Sequence, residues 1–333
     1  MSTVYGPVPS RRLGQSLGVD PIPFKTCNYN CVYCQLGRTA PLTNLRQDFF
    51  PPDAILSEVQ TALESQEPGA IDYVTFVGQG EPLLCASLGR LIRGVRDMSD
   101  IPVALLTNGS LLFRPEVREE VRVADVVMPT VDAGDQATFR RINRPWPRLD
   151  LDEILTGMAD FRDVFEGKLW VEVMLLKGLN DTEPALTAIA AALQRIRPDQ
   201  VHLNVPLRPP AELWVETPDN EGLARAQEIL GEVAPIVVPA VGSVVLASGT
   251  PVANAIVEII RRHPLREVEL VQTLRHYVPE QVQQTLMVLE STGQARQRVY
   301  QGQIFWEYSG GRFFPAENGA QQPFVSHWSP DSR

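Results

Sequence analysis

The chain has 333 residues, of which 44% are hydrophobic and 21% charged, and its formal net charge is −10 at pH 7. This length suits one large domain plus a small one, and the acidic balance excludes a general basic field for holding nucleic acid. No apolar run approaches the roughly 20 residues that span a bilayer, and the N-terminus lacks a signal-peptide pattern. We therefore expect a cytoplasmic protein with no membrane association.

Short apolar strands alternate with amphipathic helices through most of the chain. We predict strands that end near Phe24 and that cover residues 71–77, 103–106, 126–132, 169–176 and 201–206, with a short extended segment at 236–238. Helices are predicted over residues 53–65, 86–98, 115–122, 151–164, 182–196 and 218–233. This alternation predicts an α/β fold, a partial (βα)6 TIM-like barrel over residues 1–245. In such barrels the chemistry lies at the carboxyl ends of the strands.

A different pattern begins near Thr250. Three amphipathic helices are expected over residues 255–262, 265–276 and 279–293, followed by strands 294–298 and 303–308 around the hairpin signal Tyr300-Gln301-Gly302. Three helices and a β-hairpin predict a winged-helix domain at residues 250–309. Residues 310–333 are rich in Gly, Pro, Ser and Asn, and we expect an irregular tail.

Three cysteines lie within eight residues, with the spacing Cys-x3-Cys-x2-Cys. Thiolates at Cys27, Cys31 and Cys34 suit three irons of a [4Fe–4S] cluster and leave the fourth iron open. The alternatives are a zinc site, which wants a fourth ligand at a matching spacing, and a chance cluster. A disulfide fits poorly, because one close trio suits a reducing compartment.

This cysteine spacing, with Tyr33 before the third cysteine, resembles the signature of the radical S-adenosylmethionine (SAM) superfamily. The resemblance implies that SAM chelates the open iron and is cleaved to a 5′-deoxyadenosyl radical. It also implies an electron donor of the flavodoxin or ferredoxin type. Gly78-Gln79-Gly80-Glu81-Pro82 follows a strand and resembles the Gly-Gly-Glu-Pro element of these enzymes, although Gln79 makes the match approximate. There Glu81 and the loop carbonyls accept hydrogen bonds from the ammonium group of SAM.

Polar residues at other strand ends are candidates for the same site. In the resemblance, Thr107 and Asn108 face the ribose or carboxylate of SAM, and Tyr33 packs on adenine. Asp132 would contact ribose or substrate, and Asn204 the adenine edge. Each also has a plainer interpretation, as a turn residue, a helix cap or a core aromatic.

Several charged or reactive residues near these motifs allow two interpretations. Arg11 and Arg12 form either an anion site or a solvated turn, and the run at residues 140–145 either neutralises an anion or is a solvated face. Cys85 is either a thiol that takes part in the reaction or a small buried residue. Lys25 is either an imine-forming amine or an ordinary surface lysine.

Residues 5–245 resemble more narrowly a group of uncharacterised radical SAM proteins classed beside the tRNA wyosine-synthesis enzymes, the 4-demethylwyosine synthases. The resemblance rests on Pro9–Cys34, Gly80-Glu81-Pro82 and Arg141-Ile142-Asn143-Arg144-Pro145. Wyosine-forming enzymes carry a second cysteine set that this chain lacks. Wyosine synthesis itself is therefore not expected. A winged helix most often binds nucleic acid, and a related fold binds peptides, so we expect hydrogen abstraction from a tRNA or other RNA, with a protein or peptide as the alternative. A cluster-dependent, redox-sensing DNA-binding regulator is the hypothesis from another class.

Overall fold

The computed structural model describes residues 2–10, 12–231 and 250–310. A seven-stranded sheet carries the first part of the chain, and its strand order follows the chain order. The strands are β1 (Val4–Ser10), β2 (Gly14–Val19), β3 (Tyr73–Phe76), β4 (Val103–Thr107), β5 (Val126–Pro129), β6 (Lys168–Met174) and β7 (Gln200–Asn204). Strands β2 to β7 are parallel, and β1 pairs antiparallel with β2. The sequence correctly predicted β3 to β7, placed the strand before them too late along the chain, and missed β1.

Helices connect the parallel strands. They are α1 (Pro52–Glu64), α2 (Leu88–Met98), α3 (Pro115–Val121), α4 (Gln136–Ile142), α5 (Leu151–Val164), α6 (Glu183–Ile196) and α7 (Asn220–Leu230). The first and last residues of each helix lie within three residues of the predicted ends, except for α4, which was not predicted. In α2 the residues Leu88, Leu91, Ile92 and Val95 form one buried stripe with helical spacing. The α/β fold with a parallel sheet is therefore confirmed.

The sheet curls until its first and last parallel strands approach each other. Arg12, in the turn between β1 and β2, donates from Nη2 to Oδ1 of Asn204, at the end of β7, at 2.8 Å. The same guanidinium forms a salt bridge with Glu172 of β6. Residues of β2, β3, β4, β6 and β7, together with Thr130 directly after β5, line one central cavity. The strands therefore enclose a partial barrel whose gap Arg12 spans.

The strand predicted to end near Phe24 is placed too late along the chain. Strand β2 ends at Val19. Residues 20–26 form the irregular start of the cysteine loop, because Pro21 and Pro23 cannot donate to a ladder.

Residues 250–310 contain three helices and a β-hairpin. They are α8 (Val252–Arg262), α9 (Glu267–Thr273), α10 (Pro279–Ser291), β8 (Ala295–Tyr300) and β9 (Gln303–Tyr308). Strands β8 and β9 pair antiparallel across a turn at Gln301 and Gly302, as the hairpin signal predicts. Ile256, Ile260, Leu270, Leu286 and Trp306 belong to a separate apolar core. We call this part the C-terminal unit.

Three expectations fall outside the described residues. They are the extended segment at 236–238, all but the first residue of the tail at 310–333, and Arg11. Within the described ranges, no helix has the length and apolarity that a bilayer crossing requires.

Candidate active site

The loop that follows β2 brings the three cysteines to the carboxyl edge of the sheet. Cys27, Cys31 and Cys34 are partly buried, and all three line one cavity of about 550 Å³. The loop is held by backbone hydrogen bonds to the last residue of α4 and to the segment after it. Val32 N donates to Ile142 O at 2.9 Å, and Trp146 N donates to Asn28 O at 2.7 Å. The sequence thus correctly predicted that this loop meets the strand ends.

Nitrogen donors surround the three sulfur atoms. The backbone N–H of Tyr29 donates to Cys27 Sγ at 3.3 Å, and Lys25 Nζ donates to Cys34 Sγ at 3.2 Å. The amides of Asn108 and Asn143 lie 3.8 Å from Cys27 Sγ and 3.6 Å from Cys31 Sγ. Donors directed at sulfur stabilise its thiolate form and tune any iron that it holds.

Burial favours the neutral thiol at two of these cysteines. It raises the pKa of Cys27 to about 12, with a smaller contribution from the carboxylate of Glu81, while Lys25 acts in the opposite direction. Burial and the carboxylate of Asp132 raise the pKa of Cys31 well above its usual value. Both groups are therefore protonated at neutral pH in the metal-free chain.

The three sulfurs do not converge on one point. Among the described ranges, no three side chains of His, Cys, Asp or Glu are grouped so as to hold a single metal ion. A cubane cluster binds each cysteine at a different iron, so its ligands surround a volume rather than a point.

The glycine loop after β3 packs directly on the cysteine loop. Lys25 N donates to Gln79 O at 2.7 Å, and Glu81 N donates to Thr26 O at 2.9 Å. A Cβ added at Gly80 would lie 1.8 Å from Thr26 O. Gly80 is therefore required by this close backbone approach.

Glu81 is buried at the mouth of the sheet, with its carboxylate held by β4. Oε1 accepts from Leu83 N at 2.8 Å and from the Thr107 hydroxyl at 2.5 Å, and Oε2 accepts from Asn108 N at 2.7 Å. Burial raises the pKa of Glu81 to about 7, although these three donors favour the charged form. Thr107 and Asn108 line the cavity, and they orient this carboxylate.

Asp132 does not line the cavity. Its carboxylate accepts from Tyr33 Oη at 2.6 Å, from Asn143 Nδ2 at 2.7 Å and from Met174 N at 2.8 Å. Burial raises the pKa of Asp132 to about 6. Tyr33 does line the cavity, while its hydroxyl is bound to Asp132.

Asn204 lines the cavity, but both ends of its side-chain amide are already occupied. Oδ1 accepts from Arg12, and Nδ2 donates to Glu172 Oε1 at 3.2 Å. The anion that Arg12 binds is thus a carboxylate of this protein. Pro82 lies outside the cavity lining, in a 3₁₀ turn that Glu81 caps.

Three further candidates have defined surroundings. Cys85 is 1% exposed and lies outside the cavity lining, which supports a packing role. In the charge run, Arg140 and Arg141 are exposed, while Arg144 forms a salt bridge with Glu212. Lys25 has a φ of 60° and lines the cavity beside Cys34, so it is not an ordinary surface lysine.

Sequence reasoning missed several asparagines and a glutamine that hold the loops together. Asn28 is fully buried and donates to Ser110 Oγ at 2.7 Å, while its own oxygen accepts from Asn108. Asn143 joins Asp132 to Cys31, and Gln35 contacts the C-terminal unit. Their position within or beside the motif loops was the available signal, since buried amides need several partners.

A model of the radical SAM superfamily matches residues 22–188, which is half of the chain. The match includes the three cysteines and strands β3 to β6. The chain belongs to the radical SAM superfamily. Among its relatives, a UPF0026 protein of Methanocaldococcus jannaschii is 42% identical over 233 residues, which is 70% of this chain and 72% of that protein. A UPF0026 protein of Synechocystis is 40% identical over 207 residues, which is 62% of this chain and 76% of that one.

Among solved structures, a radical SAM methyltransferase from Sphaerobacter thermophilus has a TM-score of 0.48 and 17% identity, and the likeness covers 66% of each chain. Members of the superfamily use a [4Fe–4S] cluster and SAM, so these are the cofactors of this radical SAM enzyme. An electron donor is required as well.

Proposed function

We propose that Cys27, Cys31 and Cys34 hold the [4Fe–4S] cluster and that SAM binds its remaining iron. The residues fit this cofactor because three thiols and four nitrogen donors surround one cavity beside a glycine loop. Soft sulfur ligands suit iron. Iron binding would release the protons that burial keeps on Cys27 and Cys31, so we expect assembly of the cluster to acidify an unbuffered solution.

The remaining polar residues of the cavity would bind and orient SAM. When bound, the reduced cluster and SAM together supply a 5′-deoxyadenosyl radical that abstracts hydrogen from the substrate. Glu81 would accept from the SAM ammonium, because its Oε2 has capacity for a second donor beside Asn108 N. The carbonyls of Gly78 and Gly80 would approach the same group.

Other residues would act at the edges of the SAM site. We propose that Thr107 and Asn108 fix Glu81, and that the Tyr33 ring packs on adenine. Asn204 would contact adenine only if its amide gave up its hydrogen bond to Arg12 or to Glu172. Asp132 would position Tyr33 and Asn143 rather than touch SAM. Pro82 would fix the exit of the glycine loop.

The organisation of the chain and its partners are part of the same proposal. We divide the chain into a partial barrel at residues 1–245, a winged helix at residues 250–309 and a tail at residues 310–333. The order of three helices and a hairpin in the C-terminal unit supports the winged helix. The electron donor would be of the flavodoxin or ferredoxin type, in the cytoplasm, where an oxygen-sensitive cluster is protected.

The substrate that fits best is a protein or peptide. In a winged helix, α10 would be the recognition helix, and it contains Glu280 and Glu290 but no Lys or Arg. Phosphate contacts depend on basic side chains, so this helix is poorly suited to tRNA or to the operator of a DNA-binding regulator. Val278, Met287 and Val288 on and beside it are about 60% exposed, which suits an apolar peptide surface.

Two experiments test this function. After anaerobic reconstitution and addition of dithionite and SAM, 5′-deoxyadenosine should form in the wild type and in Cys85→Ala, and should be absent in Cys34→Ala. A wild type that contains the cluster and forms no 5′-deoxyadenosine would refute the proposal. In a separate titration, tRNA should not bind even at low salt; tight binding that weakens steeply with salt would favour an RNA substrate.

A further inference from the structure

Gln79 occupies an unusual position in the glycine loop, because its side chain is buried and connects three segments. Nε2 donates to Asp20 Oδ2, at the end of β2, at 2.7 Å. The backbone oxygen accepts from Lys25 N in the cysteine loop. The side-chain oxygen Oε1 accepts from Nε of Arg261, in the last turn of α8, at 3.1 Å. A glycine at this position would keep only the backbone contacts with Lys25 and Asp20.

Arg261 is itself held from both sides. Its guanidinium lies over the rings of Phe24, at 5.2 Å, and Tyr308, at 5.5 Å. These two rings meet edge to face, with centroids 5.8 Å apart. Phe24 lies at the start of the cysteine loop, and Tyr308 ends β9. Arg261 therefore joins both cofactor loops to the C-terminal unit, and stacking of this kind fixes the direction of its N–H groups.

A second contact links the C-terminal unit to the residue after the last cysteine. Gln35 Nε2 donates to Arg262 O at 3.1 Å and lies 3.0 Å from His263 Nδ1. Ile259, His263 and Leu265 line the same cavity as the three cysteines. The inner face of α8 and the segment after it are thus a wall of the cofactor cavity, and the wall is bonded to both loops.

We propose that Gln79 is a positioning residue that couples the C-terminal unit to the SAM-binding loop. This inference rests on the proposed function. A substrate that binds the C-terminal unit would shift α8, which packs with α10 in one core, and with it Arg261, and the Gln79 amide would transmit the movement to Gly80 and Glu81. Coupling of this kind is reciprocal, so SAM binding would in turn order α8.

The first test is a double-mutant cycle on SAM affinity, measured from the change in the cluster's electron paramagnetic resonance (EPR) spectrum. Gln79→Ala and Arg261→Ala should each weaken SAM binding roughly fivefold to fiftyfold, and the double variant should bind no more weakly than the poorer single variant. Arg275→Ala removes an exposed arginine from the same unit and should leave the affinity unchanged. Arg261→Lys, which keeps the charge without the Nε donor, should bind SAM more weakly than the wild type.

The second test uses the metal-free chain. Gln79→Ala should accelerate amide hydrogen exchange in residues 252–262, whereas Arg275→Ala should not. Unchanged SAM affinity in both single variants, multiplicative losses in the double variant, or unchanged exchange in α8 would each overturn the coupling. If the wild type with its cluster fails to bind SAM, the proposed function is wrong. If the wild type binds SAM and the variants bind it equally well, only the coupling is wrong.

Discussion

The hydroxyl of Tyr33 donates a 2.6 Å hydrogen bond to the carboxylate of Asp132, which joins the cysteine loop to the segment that follows β5. Tyr33 stands directly before Cys34, so the orientation of its side chain constrains the loop that carries the three cysteines. Asp132 also accepts from Asn143, whose amide lies beside Cys31. The carboxylate therefore organises the cysteine loop from outside the cavity, through Tyr33 and Asn143.

Tyr33→Phe should weaken this loop while preserving its packing. The substitution leaves Asp132, which is 2% exposed, with one donor fewer, and we expect a loss of about 2 kcal/mol in the free energy of unfolding. Reconstituted protein should also lose iron faster to a chelator. Tyr73→Phe, in the apolar cluster with Leu13 and Met128, is the matched control. Equal effects of the two substitutions would contradict the role given to Asp132.

Glu81 predicts a pH dependence of both stability and SAM binding. Its pKa rises from 4.5 to about 7 in the folded chain, so folding favours the protonated form. Stability from this group is complete below pH 4.5 and falls as pH rises to about 7, by about 3 kcal/mol. Ionised Glu81 attracts an ammonium group, so SAM affinity should rise over the same pH range.

Glu81→Gln isolates this group, because an amide of similar shape does not titrate. The variant should lose the part of the pH dependence assigned to Glu81 in urea unfolding of the metal-free chain, and its SAM affinity should be weaker and flatter with pH. Identical pH profiles for the variant and the wild type would show that another group controls both properties.

Arg12 should contribute strongly to stability, because it spans the gap between the first and last parallel strands. Arg12→Met leaves Glu172, whose side chain is only 18% exposed, without its cationic partner, and we expect a loss of about 3 kcal/mol. Arg90→Ala breaks the exposed pair with Asp53, whose side chains are 56% and 80% exposed, and should cost less than about 1 kcal/mol. Urea midpoints measure both effects, and a similar cost for both would contradict the role of Arg12.

Gly80→Ala should displace the glycine loop from the cysteine loop. The new Cβ would meet backbone atoms of Thr26, which cannot move without shifting residues beside Cys27. We expect less than half of the wild-type iron after reconstitution, with a lower melting temperature. In Gly94→Ala the new Cβ meets only the side chain of Leu56, and the iron content should be retained; equal retention in Gly80→Ala would contradict this account.

The sequence predicted correctly those elements whose hydrophobic pattern agrees with the conformational preferences of their residues. Buried parallel strands are near-continuous apolar runs, so β3 to β7 were recognisable. Strand β1 was missed because Pro7 and Pro9 are untypical of a strand interior and are tolerated here at the sheet edge. Helix α4 was missed because Arg140 and Arg141 suggested a charged surface segment, whereas Phe139 and Ile142 are buried.

The motifs of the candidate site could be predicted from the sequence, but the contacts between residues far apart in the chain could not. The spacing of the cysteines and the glycines beside Glu81 are local signals. The contacts of Arg12 with Glu172 and of Gln79 with Arg261 join residues more than 150 positions apart, and neither periodicity nor spacing reports on such distances. For that reason the sequence left Arg12 as either an anion site or a solvated turn, and the contacts of Gln79 with Asp20 and Arg261 were missed.

The most direct test of the central claim is the EPR spectrum of the reconstituted, dithionite-reduced protein with and without SAM. If Cys27, Cys31 and Cys34 hold a cluster with one open iron, a [4Fe–4S] signal should be present, and it should shift when SAM is added. A cluster signal that SAM leaves unchanged, or that persists at full intensity in the variant with all three cysteines replaced by alanine, would contradict the account.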